Sequence, residues 1–358
     1  MNSATVSRDF ARRLGLDVPL IQAPMVGCSG TALASAAIGA GALGSLPGAA
    51  MSPAALRDAA AALRAEHAGK PVPMNLNFFC HVPPVADPAR EAAWREALRP
   101  FYDELGVSPS TIANGPGRLP FDDDVADTVE ALRPEVVSFH FGLPPAPLLA
   151  RVRRSGAQVW SSATTVAEAQ WLEAQGVDAV IAQGAEAGGH RGVFLQADTS
   201  DITTQAGTMA LLPQVAAAVR VPVIAAGGIA DAAGVAAAMR LGAAAVQLGT
   251  AFLLCPEATT SAVHRAALQS QAAHHTALTN LFTGRPARGI VNRLMRELGA
   301  MSALAPAFPT AVNALAPLRA AAEKVGLGDF SSLWAGQNVS GCKAIPAAQL
   351  IAELAAGL

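Results

Sequence analysis

Charged and aromatic side chains are both scarce in this sequence. Charged residues make up 15% of its 358 residues and aromatic residues 5%, with a single tyrosine. The formal net charge is −2 and there is no run of lysine or arginine, so the charge pattern of a nucleic-acid-binding protein is missing. The hydrophobic fraction of 52% still allows a large core of Ala, Val, Leu and Ile. We therefore expect a globular protein whose partners are small molecules.

Membrane-spanning and metal-binding patterns are missing too. No segment has about 18 consecutive apolar residues, and the N-terminus carries charged residues before any apolar run, so neither a membrane span nor a signal peptide is expected. The four cysteines are scattered without a CxxC pair or a His/Cys cluster. This spacing predicts reduced thiols and no metal site. Together these features predict a cytoplasmic protein that does not bind membranes.

Glycine, in contrast, is concentrated in one informative place. The apolar run 178–181 leads into the sequence AQGAEAGGHRG at 182–192, which is typical of a buried strand followed by a loop. Glycines there let the backbone approach a flat or anionic ligand, and His190 can exchange a proton near neutral pH. The alternative is a surface turn with a solvated histidine. Arg191 beside it is expected to be solvated or paired at the surface.

Short apolar strands alternate with alanine-rich helical stretches along the chain. Eight strands are predicted, each followed by a segment with helical spacing. Their ranges are 20–23, 42–45, 72–77, 136–141, 157–161, 179–183, 223–226 and 244–248. Eight βα units with right-handed crossovers predict an α/β fold, the (β/α)8 TIM barrel, with its site at the carboxyl ends of the strands.

A doubly wound open sheet is the main alternative to the barrel. Such a sheet would have a GxGxxG turn after its first strand, whereas this chain has QAPMVG at 22–27, whose proline does not suit that turn. Two stretches fit the eightfold repeat poorly. Residues 83–120, after the third strand, are predicted to be an insertion, and 279–358 a C-terminal helical lid or cap on a barrel of residues 1–278. Within that lid, GRPARG at 284–289 and WAGQ at 334–337 are predicted to be loops that return toward the site.

Glycines also end the last two predicted strands. The seventh strand ends at Gly227 and Gly228, after which Asp231 opens a helix. The eighth ends at Gly249 and Thr250. In barrels the loops after these two strands commonly bind phosphate through backbone N–H groups, which is the function we expect here. The alternative is that the glycines serve only tight turns.

Side-chain amides and histidines stand at other strand ends. Gln183 ends the sixth strand, and Asn75 and Asn77 lie near the end of the third, on the same face because side chains alternate along a strand. Amides both donate and accept hydrogen bonds, as the pyrimidine edge of a flavin requires. The choice between Asn75 and Asn77 stays open. For His140 and His81, the sequence leaves open whether each side chain lines the pocket or only packs against its neighbours.

Five of these segments together resemble the nitronate monooxygenase family, formerly called 2-nitropropane dioxygenases. They are IQAPM at 21–25, NLNFFCH at 75–81, QGAEAGGHRG at 183–192, AGGI at 226–229 and QLGTAF at 247–252. The resemblance extends from residue 21 to the segment 284–289. It implies a barrel that holds FMN noncovalently and uses no metal.

The resemblance also implies roles for individual residues. His190 corresponds to the family's active-site histidine, which acts as a base toward neutral nitroalkanes or helps to bind anionic nitronates. The residues expected to contact FMN are Pro24, Met25, Asn77, Gln183, Gly188 and Gly189 at the ring and ribityl chain, and Gly228, Gln247, Gly249 and Thr250 at the phosphate end.

The implied activity is the oxidation of alkyl nitronates, with nitroalkanes as a second substrate class, by O2 to carbonyl compounds and nitrite. Many family members have several tyrosines around the substrate, whereas the single tyrosine here, Tyr102, lies in the predicted insertion. The same fold and FMN site also occur in NAD(P)H:quinone reductases and enoyl-acyl-carrier-protein reductases. Quinone reduction is therefore the alternative activity, and a non-catalytic flavin-binding protein is the alternative of another class. A homodimer is compatible with apolar helix faces, but the sequence does not define the oligomeric state.

Overall fold

A ring of eight parallel strands forms the centre of the protein. The computed structural model describes residues 3–112, Gly115 and residues 117–358. The strands, in chain order and with a short β7 outside the ring, are β1 (Leu20–Gln22), β2 (Gly44–Leu46), β3 (Met74–Phe79), β4 (Val136–His140), β5 (Gln158–Ala163), β6 (Ala179–Gln183), β7 (Gly189–His190), β8 (Val223–Ala226) and β9 (Ala245–Leu248). The eight strands of the ring pair in the order β1-β9-β8-β6-β5-β4-β3-β2.

Backbone hydrogen bonds through Leu43 join the two ends of this sheet. Leu43 N–H donates to Leu20 O, and Gln22 N–H donates to Leu43 O, both at 3.0 Å. The eight predicted strands are all present, with bounds that shift by only a few residues. The (β/α)8 barrel predicted from the sequence is confirmed.

Helices surround the ring and extend beyond it. They are α1 (Ser3–Leu14), α2 (Thr31–Gly39), α3 (Pro53–Glu66), α4 (Pro88–Ala97), α5 (Arg99–Leu105), α6 (Asp123–Leu132), α7 (Ala146–Arg154), α8 (Val166–Ala174), α9 (Thr208–Ala218), α10 (Ala232–Arg240), α11 (Ala262–Leu268), α12 (Arg293–Leu298), α13 (Ala311–Lys324) and α14 (Ala347–Ala355). Thr165 and Asp231 cap α8 and α10 by accepting hydrogen bonds from backbone N–H groups three residues on, as Ser, Thr and Asp typically do. No helix in the described ranges has the length and apolar character needed to cross a membrane.

Helix α1 closes one end of the barrel. Phe10 packs against Trp160 with ring centroids 5.5 Å apart, in a cluster that includes Ile21, Ile181 and Ile224 from the barrel interior. These residues are buried, so that end is filled with apolar side chains. The opposite end, at the carboxyl ends of the strands, contains a cavity.

A second core lies above the carboxyl ends of the strands. Helices α4 and α5 of the insertion pack on α13, with Trp94 donating to Ala311 O at 3.3 Å and Tyr102 to Ala314 O at 2.5 Å. Tyr102 is buried in this core and does not reach the barrel opening. The insertion and the C-terminal region thus form one cover, which we define as α4, α5, α12 and α13 with their connecting loops.

Two further elements of the C-terminal region contact the barrel directly. Strands β10 (Thr276–Thr279) and β11 (Ala287–Ile290) form an antiparallel sheet with β7, so the glycine-rich loop pairs with the chain after the barrel. Helix α14 packs between α2 and α10 and places Leu350 and Leu354 in the main core. It therefore occupies the position of the helix that follows the eighth barrel strand.

Replacing a core leucine of α14 should destabilise the whole barrel. Leu350 is 1% exposed, and a buried leucine changed to alanine typically costs about 2–5 kcal/mol. Leu350→Ala should therefore lower the urea midpoint clearly, measured by circular dichroism. Leu358→Ala is the control. Leu358 follows α14 and its side chain is 51% exposed, so this change should alter the free energy of unfolding by less than about 0.5 kcal/mol. Equal midpoints for the two variants would contradict this placement of α14.

Candidate active site

A cavity of about 520 Å³ opens at the carboxyl ends of the barrel strands. Its lining comes from β3, β4, β5, β6, β8 and β9 and from the segment after β1, and α13 of the cover also contributes to it. The residues predicted from the sequence all line it, namely Pro24, Met25, Asn77, Gln183, Gly188, Gly189, His190, Gly228, Gln247, Gly249 and Thr250. The fold thus brings together in one cavity residues that are far apart in the chain.

His190 is held on the short strand β7, opposite Ala287 of β11. Its carbonyl oxygen accepts hydrogen bonds from Gln183 Nε2 at 2.9 Å and from His140 Nε2 at 3.0 Å. Its own ring nitrogen Nε2 lies 2.9 Å from Thr283 Oγ1. Backbone and side chain are therefore both fixed, which is unlike a solvated histidine in a surface turn.

The surroundings of His190 keep its imidazole neutral. Burial lowers the pKa of His190 well below its usual value, because a protein interior disfavours the charged form. His140, Arg118, Arg285 and His81 lower this pKa further. Of these four, Arg118 and Arg285 carry a positive charge at neutral pH, so a positive charge on His190 would be repelled by them.

Two arginines supply positive charge near this histidine. Arg118, from the insertion, lines the cavity and stands 5.4 Å from the ring centre of Phe79. Arg285 stacks 4.1 Å above the ring of Phe141 and donates to Val193 O, behind the cavity wall. Burial lowers the pKa of Arg285 to about 10, which leaves it protonated at neutral pH. Sequence analysis assigned neither residue to the site; the GRPARG motif was the available signal for Arg285.

An aromatic cluster surrounds the His190 ring. Its members are Phe79, Phe141, Phe308 and Trp334, with ring centres 5.3–6.1 Å from that of the imidazole. Phe79 and Trp334 line the cavity, and the other two stand behind them. The aromatic residues around His190 are thus phenylalanine and tryptophan, because the single tyrosine of this chain, Tyr102, lies in the cover.

The structure places the two histidines that the sequence left open. His140 lines the cavity, with Nδ1 3.0 Å from Ser162 Oγ and Nε2 on the His190 carbonyl, so both ring nitrogens are engaged. His81 is buried behind the aromatic cluster, with Nε2 3.1 Å from Arg118 O. Burial lowers the pKa of each to about 4, so both are neutral packing and positioning residues at neutral pH.

The three amides differ in depth and in their partners. Asn77 lines the cavity and donates to Ser138 Oγ at 2.9 Å, whereas Asn75 lies deeper in the barrel and donates to Ser45 Oγ at 3.0 Å. Asn77 is thus the one that a ligand in the cavity would meet. Gln183 also lines the cavity, but its amide holds the glycine-rich loop through the His190 carbonyl and through Gly192 N–H at 2.8 Å.

Arg191 lies under the glycine-rich loop, so the expectation of a solvated or surface-paired side chain is wrong. It is fully buried and donates to the carbonyl oxygens of Gln183 at 3.1 Å and Gly184 at 2.6 Å. Burial lowers its pKa to about 10, while Glu168 and Glu186 act in the opposite direction. Arg191 therefore supports the loop from below.

The C-terminal chain also closes over the two glycine-bearing strand ends. Gly336 N–H donates to Thr250 Oγ1 at 2.9 Å, and Asn338 Nδ2 donates to Gly228 O at 3.0 Å. A Cβ on Gly188 would come within 2.7 Å of the Ala335 and Gly336 backbone. Glycine at 188 is therefore required by the close approach of this chain segment, a role that sequence analysis did not foresee.

Gln247 provides a test of whether a flavin suits this cavity. Its Oε1 is buried, lines the cavity and has no hydrogen-bond partner in the described part of the chain. Leaving a buried acceptor unpaired costs about 1–3 kcal/mol, so a donor from a bound group is expected there. A flavin N–H or ribityl hydroxyl satisfies this oxygen, whereas a phosphate oxygen does not. The donor set therefore fits a flavin. Among the described residues, no cluster of His, Cys, Asp or Glu is arranged to bind a metal.

Comparison with known proteins agrees with these motifs. The family profile described as nitronate monooxygenase matches residues 10–357. A nitronate monooxygenase of Pseudomonas aeruginosa is 43% identical over 96% of this chain and 97% of that protein. One of Paraburkholderia phytofirmans is 42% identical over 99% of this chain and 96% of that protein.

Solved structures show the same relationship. Nitroalkane oxidase from Streptomyces ansochromogenes superposes with a TM-score of 0.85 at 38% identity, covering 97% of each chain. FabK from Thermotoga maritima is more distant, with a TM-score of 0.68 at 26% identity, covering 98% of this chain and 95% of the other. The resemblance inferred from the motifs is confirmed, as is the oxidoreductase class that it implied: this chain belongs to the nitronate monooxygenase family.

Proposed function

We propose that this protein uses FMN to oxidise alkyl nitronates with O2, giving carbonyl compounds and nitrite. The observation that carries the proposal is that His190 lines a cavity whose wall also includes Arg118, with Arg285 behind that wall, and burial lowers the pKa of His190. A positive field attracts an anionic nitronate. A base of lowered pKa is a weak acceptor for a carbon-bound proton, so neutral nitroalkanes are the slower substrates.

The chain's own residues account for binding and orientation. FMN, when bound, accepts electrons from the substrate and passes them to O2. Its ring and ribityl chain would be held by Pro24, Met25, Asn77, Gln183, Gly188, Gly189 and Gln247, and its phosphate by Gly228, Gly249 and Thr250. Phe79 and Trp334 line the space beside His190 with apolar surface, and electrostatic interactions are stronger in such surroundings than in water.

His190 has a different part to play for each substrate form. A nitronate has no acidic carbon proton left, so it needs no proton transfer to His190, and Arg118 in the cavity wall balances its charge. A neutral nitroalkane must first lose a proton from its α-carbon, and His190 is the base that lines the cavity with a lowered pKa. The electron pair of the broken C–H bond stays on the substrate, which becomes the nitronate.

Reduction of the flavin under anaerobic conditions tests this function directly. Propyl-2-nitronate should bleach the FMN-loaded protein, because the substrate supplies the electrons, whereas NADH and NADPH should not. The readout is the visible flavin absorption in a sealed cuvette. Bleaching by NADH or NADPH but not by the nitronate would instead support the quinone-reductase alternative. If none of the three compounds bleaches the flavin, a non-catalytic flavin-binding protein is the remaining alternative.

Substitution of His190 separates proton removal from anion binding. His190→Asn should lower kcat/KM for neutral 2-nitropropane by about 10²–10⁴-fold, the usual contribution of a positioned base, and far less for propyl-2-nitronate. Because burial lowers the His190 pKa, wild-type nitroalkane activity should hold as pH falls through the ordinary histidine value of 6.5 and decline only below it. Exposed His274 provides the control His274→Asn. Equal losses on both substrates would mean that His190 binds the anion only.

Gly249 offers a clean test of the phosphate end. Its backbone is not left-handed, and an added Cβ would meet Ala23 and Met25 at an ordinary 3.6 Å, so Gly249→Val should fold. The larger side chain should nevertheless reduce the FMN content per polypeptide, because it occupies the cavity where phosphate oxygens are proposed to lie. Gly30→Val, at an extended glycine outside the cavity, is the matched control. Full FMN content in Gly249→Val at an unchanged melting temperature would refute this placement.

A further inference from the structure

The His190 ring has one hydrogen-bond partner among the described residues, and it is a hydroxyl. Thr283 Oγ1 lies 2.9 Å from His190 Nε2 and 3.3 Å from the carbonyl oxygen of Arg285. A hydroxyl has one proton to donate and lone pairs to accept with, whereas a carbonyl only accepts. Donation to Arg285 O leaves Thr283 Oγ1 as an acceptor, which calls for a proton on Nε2 of the imidazole.

The other ring nitrogen stands in a different situation. Nδ1 of His190 has no hydrogen-bond partner within the described ranges, and the residue lines the cavity. A neutral imidazole with its proton on Nε2 has an unprotonated Nδ1, which is the form a base requires. Phe308 and Trp334, with ring centres 5.3 and 5.6 Å away, restrict rotation of the ring.

We propose that Thr283 is the positioning residue that holds His190 in the Nε2-protonated form and presents Nδ1 to the substrate. This rests on the proposed function for its catalytic consequence. When a nitroalkane binds, its Cα–H bond breaks, the proton forms an N–H bond at Nδ1, and the electron pair remains on the substrate as the nitronate. Nε2–H stays bonded to Thr283 Oγ1 throughout.

The backbone geometry makes this arrangement specific. Arg191 N–H donates to Pro286 O at 2.9 Å and His190 pairs with Ala287, so His190 is paired with the chain segment that begins three residues after Thr283. A carboxylate in the place of Thr283 would raise the histidine pKa, as an opposite charge does. A hydroxyl fixes the ring tautomer without adding charge, which keeps the base neutral beside Arg118.

Two substitutions at this position separate the hydrogen bond from side-chain packing. Thr283→Val keeps the shape of the side chain and removes the hydroxyl, and Thr283→Ser keeps the hydroxyl. Thr283→Val should lower kcat/KM for 2-nitropropane about tenfold, the size of one ordinary hydrogen bond, and that for propyl-2-nitronate less than about twofold. Thr283→Ser should remain within about twofold of wild type on both. Thr310→Val is the control, because Thr310 also donates to a backbone carbonyl but does not contact His190.

A spectroscopic measurement tests the tautomer without relying on turnover. Two-bond ¹H–¹⁵N spectra of the ¹⁵N-labelled, FMN-loaded protein distinguish protonated from unprotonated imidazole nitrogens, and His190→Asn identifies the His190 signals. We expect protonated Nε2 and bare Nδ1 in wild type and in Thr283→Ser, and loss of that preference in Thr283→Val. A proton on Nδ1 in wild type, or an unchanged tautomer in Thr283→Val, would overturn the proposal.

The two proposals fail in different ways. Absence of flavin bleaching by propyl-2-nitronate refutes the proposed function, while the tautomer and its dependence on Thr283 are still read from the spectra. Equal losses of Thr283→Val on nitroalkane and nitronate, with normal flavin reduction in wild type, refute only the positioning role of Thr283.

Discussion

The pairing of a two-residue strand with the chain after the barrel is the constraint on which the site depends. Gly189 and His190 form β7, and their partners on β11 are Arg288 and Ala287. This pairing ties a loop of the sixth barrel strand to a segment about a hundred residues later in the sequence. Without it the glycine-rich loop would lack the ladder that fixes the direction of its histidine.

Buried positive charge is the second feature that organises the site. Arg191 supports the loop from below through two carbonyl oxygens, and Arg285 stacks on Phe141 behind the cavity. Both remain cationic because the lowered pKa of each, about 10, is still well above neutrality. Hydrogen bonds to backbone carbonyls and, for Arg285, the Phe141 ring offset part of the cost of burying these charges, while Arg191 Nε and Nη2 and Arg285 Nε have no hydrogen-bond partner in the described ranges. The result is a positive environment that does not depend on protonation of a histidine.

The sequence predicts what is local and leaves out what is brought together by the fold. Strand ends and glycine turns are short-range patterns, so the barrel and the glycine-bearing strand ends could be inferred from them, whereas Pro24, Met25 and Gln247 were expected only from the resemblance to the family. Asn75 and Asn77 share a face, and only the depth of each in the barrel separates them. Thr283 bonds to His190, and Arg118 lines the same cavity, from distant segments with no local signal in the sequence. Gln183 stands where expected, but its amide is engaged by the loop, which composition cannot reveal.

The position of α14 has a consequence for how this architecture can vary. Because α14 packs between α2 and α10 in the barrel wall, the part of the cover that lies between β9 and α14 is an insertion within the eighth βα unit. The segment between β9 and α14, which supplies the C-terminal part of the cover, can therefore vary without changing the order of the strands and helices in the barrel wall.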